Sequence, residues 1–422
     1  MNPILYKKYC AAEKYFESLG GSIRTNKNKL FFNTDFSLSR MRLLLQLTEN
    51  PDRAFKIIHI AGTSGKGTVT NYIYNILQQA GYKVGAHFSP FVSVATEKIQ
   101  INNKFISVQE FIRLVDDLKP IIKQCTKKIS APSYFEVWIL AALVYFKKKN
   151  CDYVVLETGC GGRFDATNAV HKTIVSVITN IGLDHTNILG KTISKIAYEK
   201  AGITRKHGIV FTAANRKHAL TVIKKSCREQ HAKLFVVKDK TNCDLASAVT
   251  RYQKINEQSI AQGLMNAKLP ARFEIVQQNP LIILDGAHNP DKLAYLAAQL
   301  HSLKQTRGPG KTHLICALTA EKNIKQCFKK IIKEVDFVYC TRPLTPVRSF
   351  VEPKQLMREL KKIKTVTAQS FLNPRLALRA VLTKAAENDL IIITGSFFLC
   401  GDLRSHWINV KKQLEQRTNF PK

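Results

Sequence analysis

Ile57-Ile58-His59-Ile60-Ala61-Gly62-Thr63-Ser64-Gly65-Lys66-Gly67-Thr68 is the stretch that decides the fold. It reads as a buried strand, Lys56–Ala61, running into a glycine-rich loop with one lysine, then a helix from about Val69 to Ala80. A loop of this kind turns backbone N–H groups of Gly62, Thr63, Ser64 and Gly65 toward phosphate oxygens, and the helix N-terminus adds positive potential. Lys66 then supplies a point charge for the outer phosphates, and the Thr68 hydroxyl comes within reach of Mg²⁺. The spacing departs from the ordinary phosphate loop, because Gly62 lies three residues before Gly65 and Gly67 separates Lys66 from Thr68. A glycine-rich turn with an incidental lysine is the alternative. The strand before it and the helix after it favour nucleoside triphosphate binding.

Outward from this loop, short apolar runs alternate with amphipathic segments, the pattern of parallel α/β architecture. Strands are expected at Lys56–Ala61, Lys83–His87, Asp152–Glu157, Thr173–Thr179, Gly208–Phe211 and Lys233–Val237. Helices are expected at Val108–Lys123, Tyr134–Lys149, Ile193–Ala201, Arg216–Gln230 and Ile255–Ala267. Pro270 breaks the last of these and a second series begins, which places a domain boundary between residues 1–269 and 270–422. Its strands are expected at Leu281–Asp285, His313–Ala317, Phe337–Cys340 and Asp389–Thr394. Its helices are expected at Lys292–Ser302, Ile324–Lys333, Lys354–Lys362, Leu376–Glu387 and Leu403–Gln416, with Arg307-Gly308-Pro309-Gly310 as a surface loop.

A chain of 422 residues with 45% hydrophobic residues can bury more than one core, which excludes a disordered protein. No apolar run reaches the length of a membrane span, and the N-terminus carries neither a signal-peptide core nor a lipidation signal. Ten cysteines without a CxxC pair or metal-ligand spacing read as reduced, mostly buried thiols. A cytoplasmic monomer with no membrane partner is expected. The net charge of +34 has three readings: a solvated lysine-rich surface, attraction of small anionic substrates, or a nucleic-acid site. The lysines are spread along the whole chain, as in Lys147-Lys148-Lys149, Lys224-Lys225, Lys329-Lys330 and Lys361-Lys362, which favours the first.

Other motifs also follow expected strands. Glu157 opens Glu157-Thr158-Gly159-Cys160-Gly161-Gly162-Arg163-Phe164-Asp165-Ala166-Thr167-Asn168 at the carboxyl end of its strand, where open parallel sheets collect ligands. There it can hold Mg²⁺, or simply be a salt-bridged acid before a turn. Asp184-His185 closes the next strand, with His185 as a second metal ligand and Asp184 behind it, or His185 as an ordinary polar contact. Glu199-Lys200-Ala201-Gly202 ends a helix, where Lys200 can complement the helix dipole. Asp285-Gly286-Ala287-His288 and Gly395-Ser396 follow strands of the second series and would face a cleft if that domain is also doubly wound.

In this order the motifs resemble those of the Mur ligase superfamily, and within it the folylpolyglutamate synthase/dihydrofolate synthase family. The resemblance runs from about Tyr15 to about Arg404. It is carried by Gly62 to Thr68, Phe88-Ser89-Pro90, Thr96-Glu97-Lys98-Ile99, Ser133-Tyr134-Phe135-Glu136, Glu157 to Asn168, Leu183 to Thr186 and Glu199 to Ile203. The second half adds Leu269-Pro270-Ala271-Arg272-Phe273, Asp285 to Pro290 and Gly395-Ser396-Phe397. The fold implied is a parallel-sheet ATPase domain with a phosphate loop, followed by a smaller Rossmann-like domain, with the active site in the interdomain cleft. The activity implied is ATP-dependent joining of L-glutamate to a folate-type carboxylate, dihydropteroate or a tetrahydrofolate polyglutamate, through an acyl phosphate.

The resemblance also implies roles. Gly65, Lys66, Gly67 and Thr68 would bind the triphosphate, while Ser89 and Glu157 hold one Mg²⁺. His185 would hold a second together with Lys200 carried as a carbamate. Asn242 would lie on the adenine side, Arg272 and Asp285 would contact ATP, and His288 and Ser396 would lie near the amino acid. The chain departs from the family pattern at Phe91, Ser64 and Ala271, where histidine, asparagine and glycine are common. The stretch between Val237 and Asn242 is also much shorter. The triphosphate and metal set is untouched by these departures; the acceptor is not, and a peptide or cell-wall precursor is the alternative carboxylate. A basic nucleic-acid-binding ATPase is a further reading, but no helicase-like motif set or RNA-binding aromatic motif supports it. A degenerate nucleotide-binding scaffold is opposed by intact Lys66, Glu157, His185 and Lys200.

Overall fold

The computed structural model of the chain describes residues 1–19, 35–239, 241–308, 310–344 and 349–422. Contacts divide it into two units. The first is Met1–Phe91, Ala95–Lys268 and Leu414–Thr418, and the second is Val92–Val94, Leu269–Gln413 and Asn419–Lys422. Part of the stretch that carries the family resemblance, residues 20–34, lies outside the described residues, as do Lys240 and Pro309.

Among the described residues the first unit contains an eight-stranded sheet in the order β4-β3-β2-β5-β1-β6-β7-β8. Its strands are β1 (Lys56–Ala61), β2 (Val84–His87), β3 (Ile99–Ile101), β4 (Lys104–Phe105), β5 (Tyr153–Glu157), β6 (Thr173–Ile178), β7 (Ile209–Thr212) and β8 (Lys233–Val236). From β2 to β8 neighbouring strands are parallel, and β3 and β4 are antiparallel additions. Ile57, Ile58 and Ile60 of β1 are completely buried, as expected for a central parallel strand with helices on both faces. Each such side chain contributes about 1.5–3 kcal/mol relative to exposure.

Helices α1 (Pro3–Ser18), α2 (Asp35–Leu47), α3 (Lys66–Gln79), α4 (Val108–Lys128) and α5 (Tyr134–Lys148) lie in the first half of this unit. Helix α5 is apolar nearly all round, with Val137 through Leu143 buried, so the longest apolar run of the chain is a core helix. Ser133-Tyr134-Phe135-Glu136 is its capping box: Ser133 Oγ accepts from the Glu136 amide, and Glu136 Oε2 accepts from the Ser133 amide at 2.6 Å. The same carboxylate takes both Nε and Nη2 of the buried Arg40 on α2 at 2.9 Å. Among the described residues no helix is long and apolar enough to cross a membrane.

The remaining helices of this unit are α6 (Thr186–Leu189), α7 (Ile193–Ala201), α8 (Lys217–Glu229), α9 (Asn242–Tyr252) and α10 (Glu257–Asn266). The expected helix from Ile255 starts two residues later, because Asn256 Oδ1 caps it by accepting from the Ser259 amide at 2.8 Å.

The second unit has six strands among its described residues, in the order β13-β12-β11-β14-β10-β9. They are β9 (Glu274–Gln277), β10 (Leu281–Asp285), β11 (Thr312–Cys316), β12 (Phe337–Cys340), β13 (Thr367–Ser370) and β14 (Leu390–Thr394). All pairs are parallel except β9 with β10. Two apolar layers cover this sheet, one around Leu293, Leu296, Phe328 and Leu356, the other around Leu378, Val381, Leu399 and Leu403. The single helix expected over Leu403–Gln416 is two, α15 (Phe397–Arg404) and α16 (Val410–Gln416), numbered after α11 (Pro290–Arg307), α12 (Ile324–Phe328), α13 (Pro353–Ile363) and α14 (Pro374–Lys384). Asn409 Oδ1 accepts from the amides of Lys411 and Lys412 and starts the second afresh.

Candidate active site

Strands β2, β5, β1 and β6 are consecutive in the sheet, so their carboxyl ends stand side by side. The glycine-rich loop leaves β1 and is latched to the end of β6. The Thr63 amide donates to Asn180 O at 2.8 Å and so, contrary to expectation, is not turned toward a phosphate; Thr63 Oγ1 donates to Gly182 O at 3.1 Å, and Thr179 Oγ1 donates to Ser64 O at 2.7 Å. Gly62 permits this seat, since a Cβ there would lie 1.7 Å from Thr179 Oγ1. Gly65 has φ +89°, a left-handed conformation, and forms the N-cap of α3. A Cβ on Gly65 would meet Asn242 Oδ1 at 2.4 Å, so Asn242 at the start of α9 packs directly on the loop.

The Val69 amide bonds back to Gly65 O at 2.8 Å as the first helical step. The amides of Lys66, Gly67 and Thr68 precede it, in the position where a helix start offers donors to an anion. Lys66 Nζ reaches back to Gly62 O at 3.1 Å and stays half-buried over the loop.

Glu157, the last residue of β5, is buried, and its Oε2 accepts from the Ser89 amide beyond β2 at 3.3 Å. The two residues expected to share a metal are therefore in contact. The glycine-rich segment that follows is organised by buried Asp165, whose carboxylate accepts from the amides of Gly159, Cys160 and Thr167 and from Thr167 Oγ1. The segment then closes on the end of α7. The Arg163 amide donates to Glu199 O at 2.7 Å, and Asn168 Nδ2 donates to Gly202 O at 3.1 Å. Gly202 fits because a Cβ there would stand 2.4 Å from Arg163 Cβ.

These contacts turn Lys200 inward, where it is 3% exposed. Burial, followed by repulsion from Lys66, pushes its amine down to about 8, while Cys160, Asp184 and Asp165 act in the opposite direction. Lys66, Lys200, Cys160 and Asp184 are thus one electrostatic group. His185 sits in the left-handed region at φ 49°, half-buried, with its amide donating to Asp184 Oδ1 at 2.9 Å. Lys98, from the Thr96–Ile99 motif, is a second buried amine. The rings of Tyr134, Trp138 and Phe91 lie 4.5, 5.0 and 5.5 Å from its Nζ, so the departure at Phe91 supplies one face of an aromatic cage.

In the second unit, Arg272 stands between two left-handed residues, Ala271 at φ 50° and Phe273 at φ 47°. Its guanidinium lies 4.0 Å from the centre of the Phe397 ring. Asp285 does not present a loose carboxylate, since Oδ1 accepts from the Ala287 amide and Oδ2 from the Phe273 amide, both at 2.8 Å. Burial lifts that carboxyl above its usual range despite Arg272 beside it. His288 Nδ1 bonds Gly286 O at 2.7 Å, with its ring 5.5 Å from that of Phe397. Ser396 is the N-cap of α15 and accepts from the amides of Phe398 and Leu399. Asp285, Arg272, His288 and Ser396 accordingly gather at the carboxyl ends of the adjacent strands β10 and β14.

Among the described residues no three His, Cys, Asp or Glu side chains converge as a metal site. The donors at hand suit Mg²⁺ nonetheless: a buried carboxylate at Glu157 with hydroxyls at Ser89 and Thr68, all oxygen. Mg²⁺ takes one or two carboxylates plus substrate phosphates and waters rather than an all-protein cage. Thr63 and Asp165 lie inside the expected motifs and Thr179 ends an expected strand, but the loop-shaping bonds of their side chains carry no signal in the sequence beyond a small polar residue near a strand end.

The chain matches the family model for the Mur ligase middle domain over residues 60–276 and that for the Mur ligase glutamate ligase domain over residues 271–397. It is 30% identical to the dihydrofolate synthase/folylpolyglutamate synthase of Bacillus subtilis, over 89% of this chain and 96% of that protein. It is 33% identical to the enzyme of the same name from Buchnera aphidicola, over 82% and 84%. The structure of E. coli FolC in complex with DHPP and ADP superposes with a TM-score of 0.80 at 27% identity, covering 94% of this chain and 97% of that one. A bifunctional folylpolyglutamate synthase/dihydrofolate synthase with Mn, AMPPNP and L-glutamate bound gives 0.78 at 30% identity, covering 88% and 94%.

Proposed function

The chain belongs to the folylpolyglutamate synthase/dihydrofolate synthase family of Mur ligases, and we propose that it joins L-glutamate to a folate-type carboxylate at the expense of ATP. It is an ATP-dependent ligase. The observation that supports the site assignment is the adjacency of β2, β5, β1 and β6, at or beyond whose carboxyl ends come Ser89, Glu157, the glycine-rich loop and Asp184-His185.

The reaction proposed has two steps. A carboxylate oxygen of the acceptor attacks the γ-phosphorus of ATP, releasing ADP and forming an acyl phosphate. The amine of glutamate then attacks the acyl carbon, forming the amide and expelling phosphate, with the amine's proton lost to solvent or a basic group. Catalysis of this kind is mostly positioning and neutralisation of phosphoryl charge. The amides of Lys66, Gly67 and Thr68 would hold the phosphates, Lys66 would follow the charge on the transferring group, and Asn242 would border the adenine. Mg²⁺, when bound, supplies charge stabilisation at the phosphate oxygens. Thr68, Ser89 and Glu157 would hold one ion, and His185 with carbamylated Lys200 a second. Arg272 would contact ATP, and Asp285 would act by setting the loop that carries Arg272. His288 and Ser396 are assigned to the amino-acid side.

The test is phosphate release by purified protein with ATP, Mg²⁺ and L-glutamate, with dihydropteroate, tetrahydrofolate or a cell-wall peptide precursor as acceptor. Release is expected with a pteroate and not with the peptide; the reverse would move the chain to another acceptor. Lys66→Ala should lower kcat by roughly 10²-fold or more, the span of a lost electrostatic contact at the reacting group. Arginine at that position should not restore it, because a planar fork does not replace a point charge. Near-normal turnover in Lys66→Ala would remove the phosphate-loop assignment.

A further inference from the structure

Arg272 is held in an unusual way. Both its neighbours, Ala271 and Phe273, occupy the left-handed region, which is unfavourable for a residue with a Cβ. The loop keeps this shape through two carboxylates. Asp285 Oδ2 accepts from the Phe273 amide at 2.8 Å, and Glu274 Oε2 accepts from the Ala271 amide at 2.8 Å. Ala271 O in turn accepts from the Gly286 amide at 2.9 Å.

Glu274 is buried, and its counter-charge is Arg404, which is completely buried. Arg404 Nε lies 2.9 and 3.0 Å from the two carboxylate oxygens, and Nη2 lies 2.8 Å from Oε1. The rest of the fork is used as well: Nη1 donates to Ser93 Oγ at 3.1 Å and Nη2 to Asn419 O at 2.6 Å. A buried ion pair of this kind is a poor stabiliser, because desolvation of both charges offsets their attraction, and apolar residues of similar volume often serve as well. What apolar residues cannot supply is an acceptor at a set place for the Ala271 amide.

We propose that Arg404 and Glu274 are a positioning pair for ATP, fixing the strained Ala271-Arg272-Phe273 turn so that the Arg272 guanidinium is presented on the Phe397 ring. This rests on the reading of Arg272 as an ATP contact. Neither residue touches substrate; Glu274 acts through the Ala271 amide and Arg404 acts through Glu274. The bidentate geometry matters, so lysine at position 404 does not substitute.

The experiment compares Arg404→Lys and the charge-free double variant Arg404→Met/Glu274→Met with wild type. Arg272→Ala is the control, and KM for ATP, KM for glutamate, kcat and melting temperature are measured for each. The double variant removes both charges together and so avoids an unpaired buried ion that would prevent folding. A merely structural role lowers the active fraction, and hence apparent kcat, without moving KM. A positioning role raises KM for ATP by about tenfold in both variants and in the control, with KM for glutamate changed by less than about twofold. If Arg272→Ala raises KM for ATP and the two pair variants do not, whatever their melting temperatures, the positioning role is overturned. If Arg272→Ala leaves KM for ATP unchanged, the ATP role of Arg272 fails and the pair's role falls with it.

Discussion

Lys200 shows how much a single side chain depends on its surroundings. At the end of α7 an exposed lysine would merely complement the helix dipole. The Arg163–Glu199 and Asn168–Gly202 bonds instead tie that helix end to the glycine-rich segment and leave the amine buried beside the Lys66 ammonium. A cation is disfavoured there twice over, by desolvation and by like charge. Reaction of the neutral amine with CO₂, forming the N–C bond and releasing one proton, would give a carbamate, whose negative charge would offset that of Lys66. Lys200→Ala should therefore abolish ligation, and a short carboxylic acid added to the assay should partly restore it. Full activity of that variant in CO₂-depleted buffer would show the amine to be dispensable. Some of this was legible in the sequence. Glu157 ends a strand, and Lys66 and Asp184 lie in or just beyond the loops that follow strands, where alternating α/β patterning leads one to look. Arg404 and Glu274 were not, because they lie 130 positions apart and neither carries a local motif. Side-chain pairs at that separation leave no periodic trace.

At the scale of elements, α4 illustrates a local sequence signal that also does long-range duty. Ser107 and Glu110 form its capping box, with Ser107 Oγ 2.6 Å from Glu110 Oε2. The same carboxylate receives Lys149 Nζ at 2.5 Å from the end of α5 and the Tyr145 hydroxyl at 3.1 Å. Burial alone would raise the Glu110 carboxyl, but the bonds from Lys149, Ser107 and Tyr145 outweigh it and bring it down from 4.5 to about 2. A carboxyl depressed in the folded state adds stability above its unfolded value and loses it as pH falls through the folded one. The window therefore runs from about 4.5 down to about 2. Glu110→Gln should be less stable than wild type at pH 6, on the order of 1 kcal/mol after solvent screening, and the gap should close near pH 2. A gap that persists unchanged at pH 2 would show that the carboxylate's charge is not what holds the two helices. The elements themselves were mostly readable, because buried parallel strands are short apolar runs and their helices are amphipathic. Helices α1 and α2 were not: the buried face of α1 is only Tyr9, Ala12 and Phe16, too sparse a stripe to stand out. Edge strand β13, Thr-Ala-Gln-Ser, has no apolar run at all.

For the molecule as a whole the open question is the charge of +34, with 65 basic against 31 acidic residues. Its distribution decides between the readings. Lys147 and Lys148 close α5, Lys361 and Lys362 close α13, Lys224 and Lys225 lie in α8, and Lys329 and Lys330 follow α12 as exposed residues. They belong to separate helices in both units, several in last turns where a cation offsets the macrodipole. A nucleic-acid site needs such charges gathered to follow a phosphate backbone, with groups placed to read or stack on bases. A diffuse positive field does something else: it raises the encounter rate with any small polyanion, and ATP and glutamylated folates both qualify. Duplex DNA should accordingly bind only weakly at physiological salt, with affinity falling steeply as salt rises, and should leave ATP turnover unchanged. The kcat/KM for ATP should also fall with ionic strength while kcat holds, since steering affects encounter and not the bound complex. Tight DNA binding at physiological salt with faster hydrolysis would reverse this, and would mean that the scattered lysines act together on a surface that long polyanions can span.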